Sequence, residues 1–160
     1  MRAGARISTT ALVLGLGLFM ALDVSGQPAP SPIPDIAVRK IIELGLKNIH
    51  RALCQGLEQC APATPEELDN PPITLNHARA AVLAGTRTAF ALWCGLDANR
   101  RSVLPMTRQL RQVLRFNERQ VALMAVIHGI QQGIVADQLK TRGTCDAATR
   151  TRIDAQLPKT

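Results

Sequence analysis

The chain has 160 residues, is 46% hydrophobic but only 2% aromatic, with three Phe, one Trp and no Tyr, and carries a formal net charge of +7. So few rings exclude an aromatic stacking platform for single-stranded nucleic acid, an aromatic cage for methylated cations and the aromatic girdles of an outer-membrane barrel. The remaining apolar content is aliphatic and too high for a disordered chain, so a globular domain is expected.

The first 26 residues read as a secretory signal. Arg2 and Arg6 precede an apolar run from Ile7 to Leu22, and the small residues Ser25 and Gly26 follow. Cleavage after Gly26 puts Val24 and Gly26 at the small-residue positions. The competing reading is a retained anchor, but a span needs about 20 apolar residues, and this run is shorter and softened by Ser8, Thr9 and Thr10. Removing the signal leaves 134 residues of net charge +6, exported to a periplasmic or extracellular space. A small exported protein this basic is drawn to an anionic protein, an acidic glycan or another envelope component. Peripheral contact with an anionic membrane is a further reading, nucleic acid is not an expected partner there, and the plain alternative is that the charge only keeps the domain soluble.

Residues 27–34, QPAPSPIP, carry Pro at alternate positions and predict an extended linker to a domain over 35–160. From Asp35, Val38, Ile41, Ile42, Gly45, Leu46, Ile49, Ala52, Leu53 and Leu57 recur at helical spacing and predict a helix to about Glu58. Pro62, Pro65, Pro71 and Pro72 make 60–73 a loop, within which Thr64, Pro65, Glu66 and Glu67 start a helical turn. Thr74 or Asn76 caps a second, Ala-rich helix that runs through Phe90 and Trp93 to Cys94 and stops at Gly95. Asp97 caps a third helix to about Arg115, in which Pro105 forces a kink or a restart.

Asn117 and Gln120 form a capping box for a fourth helix from Glu118 to about Leu139. It is apolar on nearly all sides and belongs in the middle of a bundle. Its Gly129 and Gly133 offer a flat strip for a close neighbour such as the Ala-rich second helix. Thr144 caps a short last helix to about Leu157. No alternating strand pattern is present, so the predicted fold is all-α: an up-and-down bundle of four long helices plus a short C-terminal helix, stapled by two disulfides.

The four cysteines of an exported domain allow three pairings. In a short-loop up-and-down topology the fourth helix brings Cys145 to the end of the bundle where the second helix delivers Cys94, leaving Cys54 with Cys60. Chain entropy gives these bridges roughly 2 kcal/mol for the short loop and 4 kcal/mol for the long one. No spacing matches a redox centre, haem attachment or structural zinc, and no motif asks for a cofactor or metal.

Chemistry-bearing motifs are sparse. No nucleophile elbow, zincin helix, phosphate loop or calcium loop occurs, and no catalytic residue is assigned. His50 and His77 fall where solvated side chains are expected. His128 interrupts the apolar fourth helix and needs partners for its ring nitrogens, either as a structural hydrogen-bonding group or as part of a ligand pocket with Gln131, Gln132 and Trp93. Trp93, beside Cys94, is expected to pack over a disulfide, or, if exposed, to anchor a protein contact. With the signal gone, Phe90, Trp93 and Phe116 are the remaining rings, and they should gather near the two ends of an aliphatic core.

The third helix carries the clearest surface feature. At 100° per residue, Arg100, Arg101, Arg108, Arg111 and Arg115 share an arc of about 100°, opposite Met106, Leu110, Val113 and Leu114. Neither Lys nor an acid lies between Arg100 and Phe116. Arginine forks suit carboxylate and phosphate, so this face is the candidate contact for an anionic partner, against the alternative that acids of neighbouring helices neutralise it. The sequence thus favours an accessory or binding module over an enzyme or small-ligand carrier.

Overall fold

The structure, a computed structural model, describes residues 33–54 and 58–159. The signal expected over 1–26, and the linker as far as residue 32, lie outside the described residues. The first helix, α1 (Asp35–Asn48), starts directly after Pro34, whose carbonyl accepts from the N–H groups of Ala37 and Val38. Its stripe of Val38, Ile41, Ile42 and Leu46 is buried.

The predicted continuation to Glu58 does not occur. One 3-10 turn, Ile49–Arg51, ends the helix, and a disulfide holds the Cα atoms of Cys54 and Cys60 5.0 Å apart. Six residues of α-helix would separate them by about 9 Å, so the bridge and the longer helix exclude each other. Cys54 N–H bonds Glu58 O and Cys60 N–H bonds Ala52 O to close the resulting turn.

Helix α2 (Pro65–Asp69) is the helical turn inside the loop. Thr64 Oγ1 accepts from Glu67 N–H while the Glu67 carboxylate accepts from Thr64 N–H. Helix α3 (Leu75–Trp93) is capped by Thr74, which accepts from His77 N–H, and the chain leaves it through Gly95 at φ 65°.

The third predicted helix is a continuous run made of a π-helical segment (Asn99–Val103), the α-helical α4 (Leu104–Arg108) and a second π-helical segment (Gln109–Val113). Asp97 caps it, accepting from Arg100 N–H. Pro105 does not break the run. Proline lacks an N–H and crowds the carbonyl four residues back; the π turn before it, in which Leu104 N–H bonds Asn99 O, widens the ladder and absorbs that defect. The run stops at Val113 instead of Arg115, because Arg115 takes φ 55° and lets Phe116 N–H return to Leu110 O.

Helix α5 (Glu118–Leu139) carries the predicted Asn117–Gln120 capping box. Helix α6 (Ala147–Gln156) starts two residues later than a Thr144 cap implies. Asp146 caps it, accepting from both the N–H and the hydroxyl of Thr149, a pair of bonds that a threonine hydroxyl at 144 could not match.

The helices pack as an all-α bundle around α3 and α5. These two run parallel: Gly85 lies against His128 and Gln131, and Trp93 packs near Leu139 one end further on. The run 99–113 returns antiparallel to α3, with Ser102 beside Thr88, and Phe116 stacks edge-on against His77 with centroids 4.9 Å apart. Helix α1 crosses both central helices, its Asp35 paired with Arg79 and its Gly45 against Leu123 and Ile127. Cys94–Cys145 closes the opposite end, as the topology predicts.

Gly129 and Gly133 do not form the close contact. Both face open space, and the glycine against the neighbouring backbone is Gly85 of α3. Alanine is the better helix former by about 1 kcal/mol, and at these two positions nothing opposes the added methyl. Gly129→Ala and Gly133→Ala should therefore each raise stability by about 0.5–1 kcal/mol in urea titration; a loss in either would mean that this face is covered.

Candidate functional site

The structure divides the arginine face. Arg101 turns inward onto α6, where its guanidinium pairs with Asp154 and donates to Asp154 O at 2.9 Å and Pro158 O at 3.1 Å. Arg111 bonds Glu118 at 2.7 Å. Arg100, Arg108 and Arg115 are exposed and make no ion pair among the described residues. A π turn spends an extra residue per turn, so the regular projection drifts along the run and the five do not keep one stripe. The same drift exposes part of the predicted apolar face: Leu110 is buried, but Val113 is 69% exposed. Leu104, which projects among the arginines, is also exposed, at 52%. Leu104, Thr107, Arg108, Arg111 and Gln112 line a shallow depression of about 260 Å³.

His128 is buried, and its Nε2 meets Thr88 Oγ1 at 2.9 Å, which in turn meets Ser102 Oγ at 2.7 Å. Burial pushes the imidazole below its ordinary value, so it is neutral at pH 7. A neutral ring bonded through Nε2 to one hydroxyl, which bonds a second, is a hydrogen-bonded chain that fits the structural one of the two roles the sequence allows. Thr88 and Ser102 escaped sequence reasoning; the one signal in the sequence is that a histidine within an apolar helix needs polar partners.

The alternative, a pocket that joins His128 to Gln131, Gln132 and Trp93, is not assembled. Gln131 donates to Thr86 Oγ1, Gln132 is half-buried beside Gly85, and Trp93 sits a further turn or two along the bundle. Its indole N–H donates to Gly143 O at 2.9 Å, and it packs with Phe90 in the cluster that includes Cys94 and Cys145. Trp93 is therefore half-buried in the disulfide end and is not an exposed anchor. A cavity of about 170 Å³ does open between α3 and the 99–113 run, lined by Ser102 at its inner wall, so His128 stands behind it through Thr88.

Sequence reasoning also missed Arg119. It makes a two-pronged contact with Glu67, at 2.5 and 2.6 Å, and donates to Ala61 O and Pro62 O, tying the loop to the first turn of α5. That guanidinium holds the Glu67 carboxyl below its usual range. Residues 52 apart announce no such pair in the sequence. Among the described residues, no three His, Cys, Asp or Glu side chains converge to hold a metal ion.

Comparison with known proteins finds no match. No family model, no curated protein and no solved structure is similar to this chain.

The His128 network gives a signed pH dependence. The unfolded histidine takes up a proton near its ordinary value of 6.5, before the buried one does, so stability is complete above that pH and falls below it. Below pH 6.5 wild-type protein should lose up to about 1.4 kcal/mol per pH unit from this group until the buried ring itself takes up a proton. His128→Gln should flatten that part of the curve in denaturant titrations; an unchanged slope would show that His128 titrates normally.

Proposed function

We propose that this chain is an exported, disulfide-stapled helical binding module that docks an acidic protein of the cell envelope. Export is supported by the Arg2–Gly26 signal pattern and by two bridges that use all four cysteines, since such bridges persist in oxidising compartments. The observation that carries the binding reading is the run 99–113 and its exit. There, Arg100, Arg108 and Arg115 stand without an ion-pair partner among the described residues, close in sequence to exposed Leu104 and Val113. Apolar area flanked by unpaired guanidiniums fits a partner with carboxylates around an apolar centre. Arg101 and Arg111 serve the fold and are left out of the contact surface.

Specific docking and diffuse attraction differ in what charge reversal does. Arg100→Glu/Arg108→Glu should cut recovery of a discrete acidic partner from envelope extracts at least tenfold, while Arg39→Glu/Lys40→Glu, the same change in net charge on exposed positions of α1, should leave it intact. Equal losses in both variants, tracking binding to anionic lipid vesicles and abolished by salt, would replace the docking reading with membrane-surface attachment.

A further inference from the structure

The cavity between α3 and the 99–113 run is independent of the basic surface and calls for its own explanation. On α3 it is lined by His77, Ala80, Ala81, Ala84 and Arg87, one helical stripe that spans about 15 Å. Opposite stand Ser102, Pro105, Met106, Gln109, Leu110 and Leu114, and Met124 of α5 forms the floor. The gap follows from the sequence. Three alanines offer almost no side chain to that wall, and the chain has no spare aromatic ring to fill it.

Two polar groups at its ends lack partners. Arg87, at the exposed end, makes no ion pair among the described residues. At the other end His77 Nδ1 is buried and accepts or donates no hydrogen bond. The volume, about 170 Å³, is close to that of apolar cavities that take up benzene, roughly 150 Å³.

We propose that this cavity binds a small amphipathic monocarboxylate with an apolar body of roughly six to eight carbons. The carboxylate meets the Arg87 guanidinium at the mouth, a charge-assisted pairing for which the arginine fork is suited. The apolar body lies along Ala81, Ala84, Met106, Leu110 and Met124, and its far end approaches His77. No bond is made or broken; the site is a binding pocket.

Octanoate and 1-octanol titrated into the mature protein, followed by calorimetry and by backbone amide shifts, test this. Octanoate should bind at least tenfold more tightly than 1-octanol and move the amides of residues 77–87 and 102–114. Arg87→Gln, on an exposed position, should weaken octanoate about tenfold and leave 1-octanol unchanged, while Ala84→Leu, checked for native helicity, should fill the cavity and abolish both. Ala80→Leu, at an exposed rim position, replaces it if Ala84→Leu does not fold. Failure of octanoate to bind, equal affinity for the alcohol, or insensitivity to Arg87→Gln would each overturn the proposal.

Discussion

The bundle turns on one close approach. At Gly85 the backbone of α3 comes so near α5 that a β-carbon there would lie 2.4 Å from the carbonyl oxygen of His128 and 3.2 Å from the amide of Gln132. An interior at crystalline packing density has no slack for such an atom. The approach brings Thr88 within hydrogen-bond distance of His128, and Thr88 in turn reaches Ser102, so a single absent methyl fixes three helices relative to one another. On the same helix, the alanines that allow close packing against α5 and α1 leave space under-filled on the side of the 99–113 run.

Aromatic scarcity follows the same logic. The described rings sit at the two ends, Phe90 with Trp93 beside Cys94–Cys145, and Phe116 with His77 near the Cys54–Cys60 end. Between them the core is Val, Ile, Leu, Met and Ala. Thin alanine walls bring helices close but bury less area per residue than large side chains do, and the covalent bridges and the Glu67–Arg119 contact hold the ends where the chain changes direction.

What could be read in advance was local. The Asn117–Gln120 box and the turn after Thr64 are each complete within four residues and appear where the residues place them, and of the two caps offered for α3, Thr74 and Asn76, Thr74 is the one used. The cysteine pairing was legible as well, because helix count and short loops leave one sensible solution. Features that depend on contact were not. The end of α1 is decided by a bridge to Cys60, and the cap of α6 by which of two nearby acceptors serves two donors. Helix α5 is apolar on nearly every side, so its sequence carries no phase to say whether Gly129 or its neighbours face α3. The two π turns carry the arginine run out of a regular projection, and Arg101 pairs with α6; Pro105 is the visible hint, which predicts a kink or a restart, and the run continues through it with a widened ladder.

The most direct test of the central contact is the stability of Gly85→Ala by urea denaturation with an intact-disulfide check. In an ordinary helical position this substitution stabilises by up to about 1 kcal/mol. Here the clash with a backbone carbonyl should reverse the sign and cost at least about 2 kcal/mol, and the pH dependence contributed by His128 should shrink with it. A neutral or stabilising Gly85→Ala would contradict the account, because α3 and α5 would then not meet through that glycine.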